Sequence, residues 1–353
     1  MAGTSSPGQS EMFPFHRGVL PVEGELLSSY LLRLADAHSA DHYRFYSSLL
    51  PGAQIWNRDI DRAMSGQLAQ LLIQRCELSE EVVSGLSLAE YEALISDGGK
   101  GRPGGRGVWI NSLGVFHRTR TLGGLQVCPM CLAQARVYKR IWRLSFVTCC
   151  PDHLIPLQSV CSGCSAPIVP HRQLVGTTTC HSCHVDHIAR SLFREGSCTI
   201  PPGQRMLIDA LAGKEISTLC AGIPLRDLVK GVSLLRRWGM LRVPIPLKGS
   251  PIETQSPIRR AIYFDLLHEL TSRWPNSMNL LAVRGRVSRQ TFESASPPDW
   301  LVCMGGELST RARSRAKASG RSDLSSYLRQ LQATKPAGWR ELRASALTRA
   351  AME

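Results

Sequence analysis

The spacing of its cysteines constrains this chain more than any other feature of the sequence. Eight of the twelve cysteines lie between residues 128 and 183, and most of these eight occur as C-x-x-C pairs. Each pair places two sulfur atoms on the same side of a tight turn, and two facing pairs supply the four ligands of a tetrahedral zinc site. The spacing therefore predicts a segment that folds around metal.

Two four-ligand sets account for seven of the eight clustered cysteines, together with one histidine. The first set is Cys128, Cys131, Cys150 and His153, and the second set is Cys161, Cys164, Cys180 and Cys183. Within the sets, 18 and 15 residues separate the two short pairs, which is the loop length of zinc fingers. Four protein ligands leave no position for water, so we expect two structural Zn²⁺ ions per chain and no metal catalysis.

The remaining cysteines leave one choice open. Cys149 stands beside Cys150 and could replace it, but Cys150 forms a C-x-x-H turn with His153 and is the preferred ligand. The other four are isolated in the sequence and are expected to be small buried apolar residues: Cys76, Cys198, Cys220 and Cys303.

Charge is distributed unevenly along the 353 residues. The formal net charge is +14, but residues 1–127 carry −2, and the three segments 128–200, 201–300 and 301–353 carry +4, +6 and +6. A positive field of this kind attracts nucleic acid, although it also serves solubility alone. No stretch approaches the ~20 apolar residues of a membrane span, and the first residues lack a signal-peptide pattern, so we expect a cytoplasmic protein without membrane contact.

Periodicity and composition predict a mainly α fold with small zinc-knuckle modules. Helices are expected at 23–38 and 63–74, with two short capped helices after Ser79 and Ser87, and later at 225–238 and 257–274. The early helices suit a helix-turn-helix unit or any other small helical bundle.

Five segments follow from these patterns. They are an N-terminal helical domain at 1–97, a linker and lead-in strand at 98–127 whose glycine-rich part is 98–107, a tandem zinc-finger module at 128–200, a basic helical C-terminal domain at 201–308, and a basic, partly disordered tail at 309–353.

Several motifs together resemble the TniQ family of transposon accessory proteins. They are the helix motif at 21–35 (PVEGELLSSYLLRLA), the first knuckle at 125–132 (LQVCPMCL), the segment at 138–153 (YKRIWRLSFVTCCPDH), and Leu157 with the Cys161 knuckle. The resemblance covers about residues 12–190, and the motifs follow the order and spacing of the family.

The resemblance implies a non-catalytic adaptor. Such a protein links target recognition, by direct DNA binding or through an RNA-guided CRISPR complex, to an AAA+ ATPase regulator and the transposase. It carries over the eight predicted ligands as zinc ligands and no catalytic residue, and it leaves a homodimer open. How the target is chosen, which face meets the ATPase and what the tail does are not given by the sequence.

Basic and aromatic side chains alternate after the first knuckle. Trp142 and Phe146 are expected in the core, whereas the basic residues are equally consistent with a solvated face and with phosphate contact. The candidate contacts to nucleic acid or a partner are Arg136, Lys139, Arg140, Arg143, Arg236 and Arg237.

Two other functions compete with the adaptor. A zinc-containing transcription regulator would bind one DNA site unaided. An HNH-type nuclease would use Asp186 and His187, but the knuckle that ends at Cys183 abuts them and no C-x-x-C pair follows.

Overall fold

The computed structural model describes residues 15, 18–57, 59–95, 109–111, 125–172, 178–189, 194–214, 225–229 and 252–272. Across these ranges the regular structure is helical, without β-strands, and extended segments pair only through isolated antiparallel bridges. The prediction of a mainly helical fold is confirmed. The predicted linker at 98–107, the helix beyond 229 and the tail after 309 lie outside the described residues.

The first four N-terminal helices enclose a core of their own, whereas the fifth buries Ile95 in the core that contains the first knuckle. Their bounds are α1 Leu27–Ala37, α2 His42–Leu49, α3 Gly66–Cys76, α4 Glu80–Gly85 and α5 Ala89–Ile95. Leucines spaced three or four residues apart on α1 and α3, among them Leu31, Leu68 and Leu72, are buried against each other as their periodicity predicts. Each buried leucine contributes about 1.5–3 kcal/mol, which holds these short helices together.

Capping side chains set where these helices begin. The side chain of Ser79 accepts a hydrogen bond from the Val82 amide at the start of α4, as expected from the sequence. Helix α2 was not predicted, and it contributes little to the core because Tyr46 is its one buried residue. Asp41, which accepts from the Arg44 amide, is the signal that marks its start.

Two helices in the second half of the chain pack closely on each other. After α6 at Pro129–Ala135, the chain forms α7 at Pro202–Leu211 and α8 at Pro257–Ser272, the two that pack together, and a further helical stretch lies at 225–229. A Cβ atom on Gly203 of α7 would lie 2.1 Å from the backbone oxygen of Phe264 on α8. Only glycine permits this approach, which brings α7 and α8 into one hydrophobic core with the first knuckle.

A buried arginine fixes α8 to the middle of the chain. Arg260 is fully buried, and its guanidinium donates to the side-chain oxygens of Asn111 and Gln126 and to the backbone oxygen of Ser145, at 3.2, 2.6 and 2.7 Å. Because burial disfavours its charged form, the pKa of Arg260 is lowered to about 9. Among the residues that the structure describes, this guanidinium bonds neutral oxygens and no carboxylate, and these bonds hold α8 in place.

A second buried arginine joins the N-terminal helices to the knuckles. Arg143 is fully buried, and its guanidinium contacts carboxylate oxygens of Asp59 at 2.5 Å and Asp61 at 2.7 Å. Asp61 also accepts from the amide of Ser28 on α1. The expectation that Arg143 contacts nucleic acid or a partner is therefore wrong, because its charge is satisfied inside the protein. Trp142, beside it, is buried as expected.

Candidate metal centres

Three of the four ligand pairs share one backbone geometry. In the turns that begin at Cys150, Cys161 and Cys180, the first residue donates its amide to the carbonyl five residues later, at 2.8, 2.8 and 2.9 Å. Its own carbonyl accepts from the amide four residues later, and that later residue has a positive φ. An antiparallel bridge flanks each turn. The three positive-φ residues are Leu154, Ser165 and His184.

The remaining ligand pair is built on a helix. Cys128 caps α6, and its sulfur accepts from the Cys131 amide at 3.4 Å, while Pro129 occupies the first turn. Proline suits this position because its missing N–H has no partner in the first turn of a helix. The first centre therefore combines a helix start with a turn, as the Cys128 and Cys150 pairs face each other.

The first centre brings three sulfurs and one imidazole nitrogen together. The Nδ1 atom of His153 lies 3.5 Å from the sulfur of Cys128, 3.3 Å from that of Cys131 and 3.6 Å from that of Cys150. The sulfurs of Cys131 and Cys150 are 3.6 Å apart. All four residues are buried. The sulfur of Cys149 is not among these ligand atoms, so the geometry selects Cys150.

The second centre consists of four sulfurs and is more open. The Cys161 and Cys183 sulfurs lie 3.5 Å apart, and those of Cys164 and Cys180 lie 3.7 Å apart. Cys164 is exposed and Cys183 is half-buried, in contrast to the first centre. Amides of Gly163 and Ser182 donate to the sulfurs of Cys161 and Cys180 at 3.3 and 3.4 Å, which favours thiolates.

These separations are those of a tetrahedron around one ion. With metal–sulfur bonds of about 2.3 Å and metal–nitrogen bonds of about 2.05 Å, tetrahedral edges are about 3.8 Å between sulfurs and about 3.6 Å between sulfur and nitrogen. In each centre all four ligand atoms lie within 4.8 Å of one another. Both groups of residues can therefore hold a metal ion.

Neighbouring groups shift the pKa values of the thiols in both directions. Hydrogen bonds to Cys128 and Cys131 hold the pKa of the Cys150 thiol well below its usual range, and hydrogen bonding to its partners raises that of Cys131. In the second centre, the Ala166 amide lowers the pKa of Cys164 to about 7, whereas burial raises that of Cys161 to about 12. A cation that binds either centre must expel the remaining thiol protons.

A glutamine that the sequence did not suggest contacts the histidine ligand. The side-chain amide of Gln134 on α6 lies 3.2 Å from Nε2 of His153. When Nδ1 binds a metal, Nε2 carries the proton and must donate it, so the amide oxygen of Gln134 faces the ring in that state. The signal was present in the sequence, since Gln134 follows Cys131 by three residues and lies on the same face of α6.

The candidate contact residues have different surroundings. Arg136 is exposed, and Lys139 pairs with Asp152 at 3.2 Å. Arg140 pairs with Glu90 at 3.2 Å, and its guanidinium lies over the ring of Tyr91. Arg143 is buried, and Arg236 and Arg237 lie outside the described residues. Of the four candidates in the described part of the chain, Arg136 is therefore exposed, while Lys139 and Arg140 are half-buried and each pairs with a carboxylate.

The proposed nuclease pair is not arranged for catalysis. His187 is 1 % exposed, and its Nδ1 atom has no hydrogen-bond partner within the described ranges. Burial lowers the pKa of His187, and Asp186 uses a carboxylate oxygen to accept from the Ile188 amide at 2.9 Å. A general base must reach the water that it activates, and this imidazole does not reach solvent.

The fold and both centres define a class of protein, namely a mainly helical protein with two cysteine-rich groups that can each hold a metal ion. Residues 17–157 match the family model of TniQ, which confirms the resemblance and identifies this part of the chain as a TniQ domain, a domain of transposition-associated proteins. The match includes all ligands of the first centre and ends before the second. No curated protein matches the chain. Each helix in the described part of the chain is too short or too polar to cross a membrane.

Proposed function

We propose that this chain is a non-catalytic adaptor in DNA transposition, which links target recognition to an AAA+ ATPase regulator and the transposase. The observation that carries the proposal is the TniQ domain at residues 17–157. The TniQ match supports a role in transposition, and two groups of four protein ligands support a structural use of metal instead of a catalytic one. The adaptor would act in the cytoplasm, where a DNA target and its ATPase are both accessible.

The metal that we assign to both centres is zinc, with two ions per chain. A donor set of three cysteines and one histidine, or of four cysteines, is typical of structural Zn²⁺. Four protein ligands close each tetrahedron, so the ions would hold the fold and activate no water. The proposed ligands are Cys128, Cys131, Cys150, His153, Cys161, Cys164, Cys180 and Cys183.

Rigid coupling between parts of the chain supports an adaptor. The Arg143 contact to Asp59 and Asp61 joins the N-terminal helices to the knuckles, and the Leu26 amide donates to the Tyr138 carbonyl at 2.8 Å across the same junction. Arg260 joins α8 to the same core. A docking protein transmits a position only if its parts keep their relative places, and these buried contacts provide that stiffness.

The surface beside the first centre is the one that we assign to nucleic acid or a partner. Arg136 and Lys139 provide its charge, and Arg140 borders it. Helix α4 follows α3 through a short turn, as in helix-turn-helix units, but its first turn exposes Glu80 and Glu81. Carboxylates at that position repel phosphates, so we do not assign DNA reading to α4.

A co-purification experiment tests the adaptor. A tagged chain is mixed with the AAA+ ATPase encoded in the same transposon, with and without target DNA, and binding is compared with a mobility shift on bare DNA. We expect a stable complex with the ATPase and weak binding to DNA alone. Tight, sequence-specific binding to DNA without the ATPase would instead identify a transcription regulator.

A charge-reversal variant locates the contact. Arg136→Glu combined with Lys139→Glu should weaken either DNA or ATPase binding at least tenfold, because two favourable charges become repulsive. The matched control is Arg44→Glu combined with Lys214→Glu, which reverses two exposed charges elsewhere, one of them also paired with a carboxylate. Equal effects of the two variants would show that net charge, and not this surface, drives binding.

A further inference from the structure

Two cysteines outside the metal centres lie unusually close together. The sulfurs of Cys149 and Cys198 are 2.6 Å apart. Ligand sulfurs in the two centres, which are not bonded to each other, keep separations of 3.5 to 3.7 Å. A separation of 2.6 Å is inside the contact distance of two thiols and approaches the bond length of about 2.05 Å in a disulfide. Cys198 was expected to be a small buried apolar residue, but it is only half-buried, and its sulfur meets that of another cysteine.

Backbone hydrogen bonds fix Cys149 from its own side. The fully buried side chain of Gln204 on α7 accepts from the Cys149 amide at 2.9 Å and donates to the Cys149 carbonyl at 2.7 Å. Cys149 also forms a bridge with Pro156. The backbone of Cys149 is therefore held in place. Its sulfur lies outside the first centre, although the next residue, Cys150, belongs to that centre.

The segment that carries Cys198 is held against the first centre. The Cys198 amide donates to the Leu154 carbonyl at 2.9 Å, and the Gly196 amide donates to the His153 carbonyl at 3.0 Å. Both cysteines are thus anchored to the same turn, Cys149 at its start and Cys198 along its end. Cys198 is half-buried and Cys149 is buried, so a reagent reaches Cys198 first.

We propose that Cys149 and Cys198 form a reversible disulfide that closes residues 149–198 into a loop containing the whole second centre. The bond would leave all eight metal ligands unchanged. It would join the residue before Cys150, a ligand of the first centre, to the segment that follows the second centre. This inference is independent of the adaptor function, since it concerns these two thiols alone.

The reaction is thiol–disulfide exchange with a small-molecule disulfide such as oxidised glutathione. The Cys198 thiolate attacks one sulfur of glutathione disulfide, forms a mixed disulfide and releases one glutathione. The Cys149 sulfur, having lost its proton, then attacks the Cys198 sulfur and releases the second glutathione. The protein loses two hydrogens, and the oxidant is reduced to two thiols, so atoms and electrons balance.

Mass spectrometry of the full, zinc-loaded chain tests the proposal. The protein is incubated with oxidised glutathione, its free thiols are alkylated, and it is digested with trypsin without reduction. We expect a linked pair of peptides, residues 144–172 and 195–205, with a mass about 2 Da below their sum. Zinc measured in the same sample should stay at the level of the untreated protein.

Variants assign the bond to Cys149. Cys149→Ser and Cys198→Ser should each abolish the linked pair, while Cys76→Ser, which removes a thiol in the N-terminal core, should leave it intact. The linked pair of peptides is measured first on the unaltered chain, so that result does not depend on whether a variant folds. Persistent glutathione on Cys198, alkylation of both thiols, or linkage through Cys150 with loss of zinc would each overturn the proposal.

Discussion

Replacing Gly203 with alanine should detach α7 from α8. The new Cβ would lie 2.1 Å from the Phe264 oxygen, 2.3 Å from the Phe264 carbonyl carbon and 2.8 Å from the Asp265 nitrogen. All three are backbone atoms, so no side-chain rotation relieves the overlap. The helices must separate by about 1 Å, and such a gap forfeits a quarter to a half of each dispersion contact across the interface.

The expected net loss in the free energy of unfolding is about 2 kcal/mol. Overpacking against rigid backbone costs about 3 kcal/mol, and alanine returns about 1 kcal/mol through its higher helix propensity. Urea denaturation of the zinc-loaded chain, monitored by circular dichroism, measures this net change in the free energy of unfolding. Hydrogen exchange of the amides in α7 and α8 shows whether the loss is local to these helices.

Gly85→Ala provides the matched control, because this glycine ends α4 and open space surrounds the position that the alanine methyl group would take. It should leave stability unchanged or raise it by up to about 1 kcal/mol. If Gly203→Ala is as stable as Gly85→Ala, with unchanged exchange in α7 and α8, the close packing of these two helices is refuted.

Three further substitutions test other parts of the structure. Burial raises the pKa of Asp61 to about 6, so its contribution to stability is greatest below about pH 4 and falls as the pH rises through 6; Asp61→Asn should remove this slope from the difference between denaturation curves measured at each pH. Leu154→Gly should stabilise the metal-loaded chain by about 1 kcal/mol in urea, because the native φ of +50° strains a leucine; no gain would contradict that strain. Gln134→Leu should weaken zinc binding at the first centre about tenfold in a chelator competition, while Gln134→Glu, which keeps an acceptor for Nε2 of His153, should lose less; equal losses would exclude an orienting role.

Local spacing was sufficient to predict the ligand groups. A C-x-x-C or C-x-x-H turn specifies its own geometry through hydrogen bonds within six residues, so Cys150 and His153 could be paired from sequence alone. Helices α1 and α3 were also predictable from local sequence, because their buried leucines recur every three or four residues. Helix α2 was missed because it buries little and is specified mainly by the cap at Asp41.

Contacts between distant parts of the chain could not be read from the sequence. Arg143 lies among basic and aromatic residues that suit a nucleic-acid surface, and only the fold brings Asp59, 84 residues earlier, to its guanidinium. Likewise, Cys198 has no cysteine near it in sequence, yet the fold brings its sulfur to that of Cys149 beside the first centre. In both cases the partner is chosen by tertiary packing, which leaves no periodic signal.

The number and coordination of bound metal ions test the central claim most directly. Elemental analysis of the freshly purified chain, combined with X-ray absorption at the zinc edge, should give two Zn²⁺ per chain with only sulfur and nitrogen neighbours. With seven cysteines and one histidine as ligands, sulfur should dominate at about 2.3 Å. Fewer than one equivalent of zinc, or an oxygen neighbour from bound water, would contradict two closed structural centres.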